Sequence, residues 1–214
     1  MYLTTVMNKA KINLSAAELE LVCNTEWLLT KHAVIAKVYN LLGDAAHNMQ
    51  NTVNKSKHEL PEVILNSSPK ISKGENYMQL PYVMLDYPRH FDKEAALAIR
   101  TFFWWGNFFS VTLQLAGIHK QNQLQAIKDN FSFLQENDYW VCINTNPWQH
   151  HFEDDNYVLL KDVSEREFSA ILNRELFVKL AKKIPLSQWQ ATQDFIEKTF
   201  TEMLKLATGQ APSR

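Results

Sequence analysis

Apolar positions in the first third of the chain recur at helical spacing. Ser15 followed three residues on by Glu18 has the form of a capping box ahead of Ala16 to Cys23, which are good helix formers. From Thr25 a longer helix is predicted, because Leu28, Ile35, Leu42 and Met49 fall seven residues apart with Val38 and Ala45 between them. Gly43 costs this helix only ~1 kcal/mol relative to Ala, too little to end it. The repeat is short for a coiled-coil seam and suits a helix packed on its own domain. Residues 54–75 lose the period and hold Pro61, Pro69, Gly74 and the run Asn66, Ser67, Ser68. They read as an irregular connection.

The period then changes to that of strands. Tyr77 to Tyr87 is rich in Tyr, Val, Leu and Met and ends at Pro88, with Pro81 arguing for an edge position or a bulge. Residues 100–105 and 108–116 flank Gly106-Asn107, which reads as a two-residue type II′ hairpin turn. That turn sets a register. Trp105, Phe103 and Thr101 would oppose Phe108, Ser110 and Thr112, while Trp104, Phe102 and Arg100 would oppose Phe109, Val111 and Leu113. On this register the second set is the core face, with Arg100 its one polar member, and Ser110, Thr101, Thr112 and Gln114 form a polar row on the first. A slip of one residue would exchange the faces.

A helix is predicted over residues 120–136, with Leu124, Ile127, Phe131 and Leu134 on one side. Strands at 139–144 and 157–161 follow, joined by a loop at 145–156. The last third reads as helical, with capping patterns at Ser164/Glu167 and Ser187/Gln190 and a final stripe of Ile196, Phe200, Met203 and Ala207 closed by Gly209. The fold class is therefore α+β: one domain over residues 1–214, in which an antiparallel sheet of about five strands is packed with N- and C-terminal helices. Alternating βαβ units are not evident, which argues against Rossmann-type and TIM-barrel folds.

Composition narrows the function classes. With 46% hydrophobic residues and 12% aromatic, the chain can fill a core. The net charge of −1 resolves into +1 over residues 1–75 (8 basic, 7 acidic), −4 over 76–160 (5 and 9) and +2 over 161–214 (9 and 7). The strand-rich middle is acidic and no basic face clusters, so no nucleic-acid partner is expected. No run approaches the ~18 apolar residues of a membrane span, and residues 1–14 lack the apolar core of a signal peptide. Cys23 and Cys142, far apart in apolar surroundings, are expected as buried free thiols of a cytoplasmic protein.

Three places carry candidate chemistry. In Asp86-Tyr87-Pro88-Arg89-His90, Arg89 could clamp an anion and His90 could act as a base, against a plain reading in which Asp86 pairs with Arg89. Arg100 could hold a carboxylate or phosphate in an aromatic-walled pocket. The segment Asn146 to Asp155 gathers Trp148, His150, His151 and three acidic residues. Adjacent histidines in an extended segment point apart, and the cysteines lack ligand spacing, so no metal is expected. Five glycines, with no Walker or Gly-x-Gly-x-x-Gly pattern, leave no phosphate cradle of those kinds, and no cofactor is expected. Asp44-x-x-His47 has no second copy and reads as a surface pair. The favoured function is binding of a small anionic ligand through Arg89, His90, Arg100, Trp148 and His151. The alternatives are an enzyme using His90 and His151 with carboxylates, and an assembly protein forming a homodimer through its N-terminal helices.

Overall fold

A computed structural model describes residues 13–212. They divide into two compact units within a single helix, the first ending at Lys37 and the second starting at Val38.

In the first unit, helix α1 (Ala16–Cys23) opens on the expected capping box. The Ser15 hydroxyl accepts from the Glu18 N–H, and the Glu18 carboxylate accepts from the Ser15 N–H at 2.7 Å. Asn24 closes α1, and its Oδ1 accepts from the Trp27 N–H at 2.9 Å, which starts helix α2 (Thr25–Lys55). No residue of α1 is buried.

In the second unit α2 buries Val38, Leu42, Ala45 and Met49, the later members of the stripe, together with Ala46 and Val53. The short α3 (Glu62–Leu65) leads to β1 (Lys70–Tyr77), β2 (Leu80–Phe91), β3 (Ala96–Trp104) and β4 (Phe108–Ala116). Helices α4 (Ile118–Asp129) and α5 (Phe131–Glu136) precede β5 (Trp140–Cys142) and β6 (Tyr157–Leu159). Then come α6 (Glu165–Arg174), β7 (Phe177–Pro185) and α7 (Thr192–Ala207). The sheet runs β1-β2-β3-β4-β7-β5-β6, and every neighbouring pair is antiparallel. The α+β class and the flanking helices match the sequence pattern, but the sheet has seven strands rather than five.

The two extra strands are β1 and β7. Strand β1 lies inside the stretch expected to be irregular. It joins β2 through Met78 and Gln79, both at positive φ (47° and 65°), a turn geometry usually announced by Asn-Gly. Strand β7 lies in the third expected to be helical. Its Lys179 is 1% exposed, so charge at an inward position hides the alternation. The helix expected at 120–136 is broken at Asn130. Ser187 caps no helix: residues Leu186–Ala191 form a 3₁₀ turn, and α7 begins at Thr192. Strand β2 continues to Phe91 with a register shift between Asp86 and Arg89. Pro81 lies in this interior strand, not on an edge, at the irregularity where the β1 pairing shifts between Gly74 and Tyr77, as its bulge alternative expected.

The hairpin is present with a different register. Trp104 opposes Phe108, so the loop has three residues, and the Asn107 N–H donates to the Trp104 carbonyl at 3.0 Å with Gly106 at φ 73°. Positive φ at the third turn position is the reason glycine stands there. The one-residue slip exchanges the faces. Phe103, Thr101 and Ile99 now lie with Phe109, Val111 and Leu113. On that helix side Trp189 packs on Phe103 and Phe109, while Phe200 of α7 stacks on Tyr87. Arg100 sits on the opposite face with Trp104, Phe102, Ser110, Thr112 and Gln114.

Candidate functional site

The face that carries Arg100 is polar and aromatic, yet buried. Register places Asp86 opposite Arg100, Arg100 opposite Thr112, Gln114 opposite Lys179, and Ser110 opposite Lys183. Asp86, Arg100, Ser110, Thr112, Gln114 and Lys179 are all at most 9% exposed. Residues 143–156 cover this face, and asparagines shape them. Asn144 Oδ1 accepts from the Asn146 N–H, Asn146 Oδ1 accepts from the Trp148 N–H, and Asn156 Nδ2 donates to the His151 carbonyl. Such side-chain-to-backbone bonds hold a non-repeating loop in one shape.

Three groups of the sheet fasten the loop. The Tyr77 hydroxyl accepts from the N–H groups of His150 (2.7 Å) and His151 (3.0 Å) and donates to Gln149 Oε1 at 3.3 Å. Burial raises the Tyr77 pKa, against the pull of those two N–H groups, so the neutral hydroxyl is kept. Arg100 grips Asp86 through Nε (2.7 Å) and Nη2 (3.0 Å), and its Nη1 lies 3.2 Å from His150 Nε2. Because guanidinium can only donate, His150 accepts there as a neutral imidazole. Burial first, then Lys179 and Arg100, hold the His150 pKa well below its usual value, in agreement with that tautomer. The His150 ring packs against Tyr77 and Phe102, and Trp148 lies over the guanidinium at 5.8 Å while remaining 53% exposed.

Lys179 is the third fastening and the most unusual. Its ammonium donates to the carbonyls of Pro147 (2.9 Å) and Gln149 (2.6 Å) and lies 5.4 Å from the Tyr157 ring centre. Among the described residues no carboxylate pairs with it. Burial pushes its pKa down to about 8, with Cys142 pulling up and Arg100 pushing further down. Around it, burial raises the pKa of Tyr157 and of the Cys142 thiol, so both stay protonated. The Tyr157 hydroxyl makes no hydrogen bond of good geometry, and Thr112 is beside it. Nearby, Lys183 lies over Trp140, Phe152 and Phe108 at 4.6, 4.7 and 5.8 Å.

No family model, curated protein or solved structure matches this chain. Its chemistry is therefore read from its own residues. Of the residues singled out from sequence, Arg100 and Trp148 come together, and His151 contributes its N–H to Tyr77. Asp86 pairs with Arg100 and not with Arg89, whose Nε donates to the Ser68 carbonyl. His90 turns to His119, with ring nitrogens 3.2 Å apart, and to Asp92 at 3.8 Å, whereas His151 faces Asp155 at 3.8 Å. The strand end and the loop do approach each other, since Phe91 and Trp148 have ring centres 5.9 Å apart. Both described cysteines are free, but Cys23 is exposed, contrary to expectation.

Sequence reasoning missed Lys179 and Tyr77. Lys179 sat in a stretch read as helix, and Tyr77 matters through its hydroxyl, which has no periodic signature. Among the described residues no group of three or more His, Cys, Asp or Glu is arranged to hold a metal, and no helix is long and apolar enough to cross a membrane. A separate cleft of about 550 Å³ between β6 and α6 is lined by Val158, Ile171, Glu167 and Arg174 with no aromatic wall. Glu167 is engaged in the Ser164 cap and Arg174 in Glu175.

Proposed function

We propose that this chain binds a small anionic ligand on the covered face of the sheet. Lys179 is the anchor, Tyr77, Phe102 and Trp104 form the apolar wall, and residues 143–156 act as the cover. One observation carries the reading: among the described residues a buried ammonium is held by two carbonyls of an irregular loop and a tyrosine ring, with no carboxylate beside it. Taking such a charge out of water costs several kcal/mol unless it is paired, and perturbed, unpaired groups of this kind concentrate at binding sites. An anionic oxygen replacing those carbonyls would give Lys179 the opposite charge it lacks. Arg100 is already neutralised by Asp86, so it positions His150 and Trp148 and leaves the ligand's charge to Lys179. A motif-poor enzyme built on His90 and His151 is less favoured, because the carboxylates facing the two imidazoles, Asp92 and Asp155, both stand at 3.8 Å, beyond hydrogen-bond reach. The free thiols of Cys23 and Cys142 support a cytoplasmic setting.

The test is titration of the whole chain with inorganic phosphate and with benzoate, followed by calorimetry and by melting temperature. At least one probe is expected to bind saturably and to raise the melting temperature of the wild type, with no such rise in Lys179→Met. Equal responses of the two proteins, or no response of the wild type to either probe, would overturn the assignment.

A further inference from the structure

The first unit exposes an unusual amount of apolar surface. Leu14, Leu19, Leu21, Val22, Trp27, Leu28 and Leu29 are 45–68% exposed. In α1 Leu19 and Val22, three residues apart, share one side, with Leu21 set to the far side of Val22 and Glu18 and Glu20 between the apolar positions. Large apolar side chains left open side by side in this way mark a surface that another chain covers. Leu28 also begins the seven-residue series whose later members, Leu42 and Met49, are buried. The open stretch thus continues a seam that packs elsewhere along the same helix.

We infer that residues 14–37 form a two-fold interface with a second copy of this chain. Area supports this occupant: summed over the segment from their fractional exposures, the seven residues present on the order of 700 Å² per copy, close to the ~800 Å² per partner of a standard interface. Charge supports it too. Glu18, Glu20 and Glu26 occupy the first part of the segment with no Lys or Arg, whereas Lys31, His32 and Lys37 occupy the second part with no acid. An antiparallel two-fold pairing sets each acidic end beside the partner's basic end, as an isologous contact requires. The same carboxylates among the apolar side chains disfavour an anionic lipid surface.

Sedimentation equilibrium of the whole chain tests this. A dimer is expected at about 10 µM, with Leu21→Glu/Leu28→Glu monomeric and its far-ultraviolet circular dichroism unchanged. Should that variant fail to fold, Leu19→Ser/Val22→Ser makes the same test on α1, where no side chain is buried. Glu26→Lys and Lys37→Glu are each expected to weaken dimerisation about fivefold, and together to restore it. A wild type that stays monomeric at about 100 µM overturns the inference. So does a dimer indifferent to the Leu substitutions, or a double charge swap that restores nothing. A monomer that floats with phosphatidylcholine vesicles would hand the patch to a membrane instead. A monomer that dimerises only once residues 1–12 are deleted would hand it to the chain's own first segment.

Discussion

Lys179→Met removes a buried charge while keeping most of the side chain's length and volume, so it weighs the ammonium's burial directly. Holding the group from 10.5 down to about 8 corresponds to about 3 kcal/mol against the folded, charged form. Against this stand the two carbonyl bonds to Pro147 and Gln149, which Met cannot replace. The net expectation near neutral pH is a gain of about 1–3 kcal/mol for Lys179→Met, or roughly 2–4 °C in melting temperature per kcal/mol for a unit of this size. The sign with pH follows from linkage. Below about 8 the amine is charged in both folded and unfolded chains, and the whole penalty stands. Between about 8 and 10.5 the folded wild type releases its proton first, so its stability rises with pH relative to the variant. Urea unfolding of both proteins at about pH 7 and about pH 9.5 should therefore show an advantage for Lys179→Met that shrinks at the higher pH. A variant that is less stable at pH ~7 by an amount unchanged at pH ~9.5 would refute the reasoning, because the carbonyl bonds would then outweigh the cost of burial.

Two further outcomes follow from the fastenings of the loop. Asp86→Ala leaves Arg100 buried without its carboxylate and should cost about 3–5 kcal/mol by urea unfolding, whereas Asp86→Leu/Arg100→Met should recover most of that loss. Tyr77→Phe removes the acceptor of two loop N–H groups, and hydrogen exchange at the His150 and His151 amides should quicken by about 5–150-fold, as expected for ~1–3 kcal/mol of lost local stability.

Features that depend on neighbours in sequence were legible. The Ser15/Glu18 and Ser164/Glu167 caps, the α2 stripe through Met49 and the last helix through Ala207 all form as their spacing implies. Each is settled within a turn or two of helix, where side chains three and four apart meet whatever the rest of the chain does. The presence of an antiparallel sheet was legible for a similar reason, since aromatic and β-branched runs were separated by turn-sized gaps. At the site, Arg100 and Trp148 could be singled out because a charge in an apolar run and a Trp in a polar loop are each out of place locally.

Tertiary contact decided the rest. The hairpin register depended on whether the turn held two residues or three, and that single residue moved Arg100 from the expected core face to the covered polar one. Strand β7 takes strand form because β4 and β5 lie on either side of it, although its own Lys and Ala content favours helix. Asp86 chose Arg100 over the nearer Arg89 because cross-strand register puts the first pair face to face. The sequence by itself therefore determined the capped helices α1 and α6, the striped helices α2 and α7, and that a sheet exists, through short-range spacing. Only the folded sheet determined that Lys179 is a buried cation without a carboxylate, because its surroundings come from β4, β5 and the 143–156 loop, all distant in sequence.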